Sequence, residues 1–249
     1  MSLAPGRYHA PMTDPDAAAL DLRTALIDGL RAARSAERDV LGALGADDRL
    51  TPAPDGGWSP KDIQAHLSAW KRHQAERFAA RREGREEPAS PAVETDEANA
   101  ILHAERADWT WEHVVADADT TTDDLVRELE LASTETLGDE RIVQSTLGNG
   151  PEHIFAHLPP LAERAGMTDR IVALATDLEA SVARGGWPIR AAAYARYNLA
   201  CYHALGGRLD EARTLLRLAL PVQEDLRTLA PVDDDLVALR DEIPTLSRG

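Results

Sequence analysis

Cysteine occurs once in 249 residues, at Cys201. A single thiol excludes an internal disulfide framework and a thiolate-rich metal site. Positive charge is also scarce: 27 Lys and Arg face 43 Asp and Glu, a formal charge of −16. An acidic excess of this size repels phosphate, so nucleic acid is excluded as a partner. Lysine itself is nearly missing, with only Lys61 and Lys71. Aromatic residues make up 4%, and alternating β-branched runs are almost absent, so strands have little support. No apolar run approaches the ~18 residues of a membrane span. The opening MSLAPGRYHAPMTDPD lacks the basic-then-apolar order of a secretory signal. The expectation is a soluble cytoplasmic protein without a membrane partner.

What remains is helical signal. Apolar residues at 43% and charged residues at 28% suit a globular chain with a core. A first helix is predicted from Thr13-Asp14-Pro15, a cap followed by proline in the first turn, to about Leu44. Its apolar face carries Leu20, Leu22, Leu26, Ile27, Leu30 and Ala33 at spacings of three and four. The second has the sharpest start: Ser59 as N-cap, Pro60 at the first position and Asp62 closing a capping box. It aligns Ile63, His66, Leu67 and Trp70 and fades at Gly84. A third segment is read over Asp96 to Asp108. A fourth helix is read from Trp111 to about Leu137, weakened in its middle by Thr120 to Thr122. Pro151 is placed to open another helix, which Pro159 and Pro160 then end or kink.

Beyond Thr168 the pattern changes to shorter helices, read as Asp169–Ala183, Pro188–Leu205, Leu209–Leu220 and Asp233–Glu242. Leu199, Ala200, Gly207, Leu209, Ala212, Leu216 and Ala219 follow an order that resembles the tetratricopeptide repeat. A plain helical hairpin is the alternative reading of the same residues. One repeat rarely stands alone, so this piece is expected to pack on the preceding domain.

Eight histidines are present, and three have metal-compatible placement. His153 and His157 lie at i and i+4, where two imidazoles on one helix face can reach a common ion about 2.0–2.1 Å from each nitrogen. His66 supplies a third ligand if its helix is a neighbour. Three protein ligands with an open water position describe a catalytic zinc or nickel site. Such an ion lowers the pKa of a bound water toward ~7 or captures a thiol as thiolate. The plain alternative is chance spacing in a helical chain. His73, one helical repeat beyond His66, is a substitute ligand or acid–base group or, more simply, a surface histidine. Glu152 points about 100° away from His153 around a helix and makes a poor general base. Structural roles are read for Trp58 and Trp70 (stapling the second helix), for His103 (paired with Asn99) and for His203 (packed). Cys201 reads as a small buried apolar group. The acidic runs Asp117–Asp124 and Asp233–Asp235 read as solvated faces.

The string Trp58-Ser59-Pro60-Lys61-Asp62-Ile63-Gln64-Ala65-His66-Leu67-Ser68-Ala69-Trp70 resembles the signature that opens the second helix of the DinB-like four-helix-bundle superfamily. It is most similar to the ClbS/DfsB branch, with a Trp-Ser-x-Lys-Asp-x-x-x-His-Leu-x-x-Trp pattern. Asp96-Glu97-Ala98-Asn99-Ala100 and Glu152-His153-x-x-x-His157 fall where the superfamily has comparable stretches, so the resemblance spans about Asp16 to Gly166. It implies an up-down-down-up four-helix bundle with a pocket at one end and His66, His153 and His157 at the metal-ligand positions. Superfamily members include metal-dependent transferases of mycothiol and bacillithiol and maleylpyruvate isomerases. The ClbS branch includes proteins that hydrolyse a reactive cyclopropane-bearing metabolite, often without a complete histidine triad. One departure concerns Leu158-Pro159-Pro160, which directly follows His157 and removes backbone bonds that orient its ring.

The expectation is therefore an all-α chain with a DinB-like bundle over residues 1–166 and a tetratricopeptide-like helical region over 167–249. Its expected role is detoxification of a small electrophilic molecule by a metal-dependent thiol transferase or hydrolase. His66, His153 and His157 hold Zn or Ni in that expectation, and a low-molecular-weight thiol is the cosubstrate. Two alternatives stand beside it. One is a metal-free ClbS-like hydrolase or sequestering protein with His66 as acid–base group. The other is a scaffold that docks a protein partner through the C-terminal repeat. A homodimer is compatible with each.

Overall fold

The computed structural model describes residues 15–53 and 57–247, and the expected cap at Thr13-Asp14 lies outside them. Within the described residues every regular element is helical, and no helix is long and apolar enough to cross a membrane. The first helix, α1 (Pro15–Ala43), buries Leu22, Leu26, Ile27, Leu30 and Ala33 as its spacing predicts, while Leu20 lies outside the stripe and is exposed. A short α2 (Ala46–Leu50) follows, unforeseen because five residues carry no periodicity. In α3 (Pro60–Arg82) the capping box forms as read: the Ser59 hydroxyl accepts from the Asp62 amide, and the Asp62 carboxylate accepts from the Ser59 amide at 3.1 Å. The third segment is α4 (Thr95–Ala104).

The fourth helix departs from its expected length. α5 (Trp111–Leu131) passes through the three threonines without a break and stops before Leu137. The hydroxyls of Thr120, Thr121 and Thr122 donate back to the carbonyls of Ala116, Asp117 and Ala118 at 3.0, 2.9 and 2.8 Å, so they compete with nothing outside the helix. The stop is tertiary. The Arg23 guanidinium of α1 donates to the carbonyls of Leu129 and Ala132 at 3.0 and 2.7 Å, satisfying acceptors that a helix end leaves open. Ser133 then caps α6 (Thr134–Gly138), and Asp139 caps α7 (Glu140–Asn149), a helix missing from the sequence reading.

Pro151 does not open a helix. It lies in the turn after α7 and packs on α1 at Gly29, where a Cβ would come 3.1 Å from its ring. α8 (His153–His157) starts two residues later, and Pro159 opens α9 (Pro159–Arg164). Then come α10 (Thr168–Ala183), α11 (Ile189–Leu205), α12 (Leu209–Ala219) and α13 (Glu224–Leu229). The segment read as helix over Asp233–Glu242 is a 3-10 stretch, Asp234–Glu242, before α14 (Ile243–Leu246).

α3 lies along α5, and α1 packs on both α5 and α10. α7 sits between α3 and α11, and α11 pairs with α12. One continuous cluster of buried apolar side chains joins these layers, from Leu26 on α1 through Leu147 on α7 to Leu216 on α12 and Leu246 on α14. A charged group crosses this core. Lys71 on α3 and Glu37 on α1 are both fully buried and form an ion pair. Gln64 and Arg34 also donate to the Glu37 carboxylate, at 3.2 and 3.1 Å. Burial pushes the Glu37 carboxyl up, but the charges of Lys71 and Arg34 and these hydrogen bonds outweigh it and hold it below its ordinary range.

Candidate functional site

His66 comes from the second turn of α3, whose start is fixed by the Ser59 box. His153 and His157 are the first and last residues of α8, so a single turn presents both. Although the two segments are 87 positions apart, His66 Nε2 lies 3.0 Å from His153 Nε2. The His157 ring centroid stands 4.9 Å from that of His66 and 5.2 Å from that of His153. One nitrogen from each ring falls within 4.8 Å of the others. Around a tetrahedral ion with bonds of about 2.0–2.1 Å, ligand nitrogens stand roughly 3.3 Å apart, so small side-chain rotations separate this trio from ligand geometry. The Pro159-Pro160 pair opens α9 without turning His157 away, because proline at a first helical position loses no bond that the helix needs.

Burial sets the protonation of the trio. It lowers His66 to about 3, with the neighbouring His157 adding to the effect. It carries His153 well below the usual imidazole range, reinforced by His66, His157 and the Lys71 ammonium, and it lowers His157 as well. All three rings are neutral at pH 7, which leaves a lone pair on each, the state a metal needs. Between His66 and His153 one N–H donates to the other ring's bare nitrogen. The Nδ1 atoms of both rings are buried and have no hydrogen-bond partner.

A cleft of about 560 Å³ opens beside the trio, with walls from Gly57, Trp58, Asp96, Asn99, Ala100, His103 and His157. Trp58 stands 4.8 Å from His66 and stacks on His103 at 5.5 Å with the rings within 3° of parallel. Its role is thus to line the site as well as to staple α3. The expected Asn99–His103 pair does not form: Trp70 Nε1 donates to Asn99 Oδ1 at 3.0 Å, and His103 Nε2 lies 3.6 Å from Asp62 Oδ1. His73 is not part of the trio. It stands edge-on to Trp70 at 5.8 Å and is half-buried.

One further reading changes, and two gain partners, once the neighbours are known. Asp117, expected on a solvated face, is buried against Arg72, and Asp119 receives Arg34 and Arg38. Asp233 accepts from the Tyr197 hydroxyl at 2.6 Å and, with Asp235, lies beside Cys201; burial, then these carboxylates, push that thiol above its ordinary range and keep it protonated. His203 is packed as expected, yet it also contacts Glu179 and accepts from Arg208 Nε at 2.8 Å.

The residue that sequence reasoning undervalued is Glu152. Its carboxyl is buried next to His153 in the chain, accepts from Asn198 Nδ2 of α11 at 2.7 Å and leaves Oε1 without a partner. Burial raises it to about 7, against the lowering effect of the Asn198 bond. Nothing local signals this, since Asn198 is 46 positions away. Comparison with protein-family models, curated proteins and solved structures returned no significant match.

Proposed function

We propose that this chain is a metal-dependent enzyme of the DinB-like kind that acts on a small electrophilic molecule. In this reading α1, α3, α5 and the α7–α9 run are the bundle, and α11–α12 is the tetratricopeptide-like hairpin. The observation that carries it is the convergence of three neutral imidazoles, from two distant segments, at the edge of an open cleft. His66, His153 and His157 would hold Zn²⁺ or Ni²⁺, which supplies Lewis acidity and a low-pKa nucleophile from water or a thiol cosubstrate. The chain's own contribution is to keep those rings deprotonated by burial and to align a substrate against Trp58, with the Asn99 amide available to orient it. The experiment is elemental analysis of purified and reconstituted protein. About one equivalent of Zn or Ni per chain, lost in His66→Ala and His153→Ala, is expected; less than a tenth of an equivalent overturns the proposal.

One observation favours a second reading. The imidazoles of His66 and His153 already satisfy each other, and their Nδ1 atoms lack the outer partners that ordinarily brace metal-ligating histidines. A metal-free hydrolase or sequestering protein of the ClbS kind uses the same cleft with His66 as acid–base group. Protective activity retained in full by His153→Ala, in protein free of metal, decides for it.

A further inference from the structure

The cleft beside the histidines has a chemistry of its own. Asp96 is the charged group in its wall, and neither lysine nor arginine lines it among the described residues. The Asp96 side chain is exposed and makes no ion pair or hydrogen bond with another described residue. Asp62, behind His103, adds a second carboxylate. Asp62 is ion-paired with Lys61 Nζ at 3.7 Å, which also donates to the carbonyls of Ala107 and Trp109 at 2.7 and 3.2 Å, so Asp96 is the uncompensated carboxylate of the wall. The chain as a whole carries −16. Against this negative rim stands a flat aromatic surface, the Trp58–His103 stack, whose indole is within 4.8 Å of His66.

A π-face and a free carboxylate in one cleft attract the same kind of guest, a cation carried on a planar apolar body. We infer that the cleft selects small aromatic or conjugated amines, with the ring against Trp58 and the ammonium toward Asp96. This narrows the substrate class of the proposed enzyme to electrophiles that carry an ammonium on such a planar body, and it rests on that reading for the chemistry that follows binding. Carboxylate-bearing molecules of the same shape meet Asp96 with like charge and are disfavoured. Because the carboxylate is exposed, its share is a few-fold in affinity and screens with salt.

The test uses the full chain and three probes that share one ring and differ in charge: benzylamine, benzyl alcohol and benzoate. Each is titrated into metal-stripped protein at low ionic strength, because a bound divalent ion would add positive charge beside the cleft and ligate benzoate, while the Trp58 indole N–H signal is followed by NMR, assigned with Trp58→Phe. Benzylamine is expected to bind about tenfold tighter than benzoate, with benzyl alcohol between. Asp96→Asn is expected to bring benzylamine within about twofold of the alcohol, and Trp58→Leu to weaken all three. Benzoate binding as tightly as benzylamine, no movement of the Trp58 signal with any probe, or unchanged selectivity in Asp96→Asn overturns the inference. Should Trp58→Leu fail to fold, the charge series and the surface variant Asp96→Asn still decide. Zinc binding is measured on reconstituted portions of the same preparation. Zinc bound without amine selectivity overturns this inference alone, and amine selectivity in a chain that binds no zinc overturns the metal reading alone.

Discussion

Glu152 and the histidine trio titrate in opposite senses because both prefer to be neutral where water is excluded. The Glu152 carboxyl sits near 7 in the folded chain against an ordinary 4.5. Between those values the native state keeps a proton that the unfolded chain has released, so stability falls as pH rises through that window. His66, at about 3 against 6.5, does the reverse: the unfolded chain binds the extra proton, and stability rises with pH up to about 6.5. In metal-stripped protein, urea unfolding should show stability climbing from pH 4 to about 6.5, where three lowered histidines outweigh one carboxyl, and slipping as pH passes 7. Glu152→Gln should match the wild type at pH 4 and exceed it by about 3 kcal/mol at pH 8. A variant that keeps the decline above pH 6.5 assigns it to another group. None of this was readable from residue types, because Glu152 and His66 look ordinary until their surroundings are assembled.

Helix boundaries divide by the origin of their causes. The start of α3 was legible to the residue because Ser59, Pro60 and Asp62 do the capping within one turn. The end of α5 was not, because the group that closes it, Arg23, arrives from a helix more than a hundred positions earlier. α7 had a readable Asp139 cap and Ile142, Val143 and Leu147 at helical spacing, but the glycines that follow it drew the boundary too late. The turn from α7 into α8 now becomes a critical joint for the site. At Gly150 a Cβ would lie 2.7 Å from both Leu30 Cδ2 and the Thr146 carbonyl oxygen. The Gly150 carbonyl in turn accepts from the His153 amide at 3.3 Å. Gly150→Ala should therefore cost about 2–3 kcal/mol by forcing the turn off α1 and, if the proposed metal reading holds, should weaken metal retention with it. Unchanged urea midpoint and metal content would show that the joint yields freely.

At the scale of the molecule, the C-terminal helices are walls of the same core that holds the site. Arg170 on α10 reaches Asp39 and Ser35 of α1 at 2.8 and 2.9 Å. Arg190 on α11 donates to Gln144 of α7 at 2.7 Å, and Tyr202 packs on Phe155, between the two histidines of α8, at 5.1 Å. Truncation after Met167 should leave the apolar faces of α1 and α7 uncovered, giving dye-binding protein without a cooperative thermal transition. A truncated chain that unfolds cooperatively would make α10–α14 an accessory. What proximity along the chain governs was open to reading from residue order: helical periodicity, the Ser59 cap, the absence of strands among the described residues and the i, i+4 pairing of His153 with His157. What depends on segments meeting through space was not: the neutrality that burial imposes on all three rings and the Asn198 bond to Glu152, while the arrival of His66 at that pair was expected only through the resemblance of its helix start. Capping and periodicity act over one turn of backbone, whereas desolvation depends on every neighbour that the fold brings near.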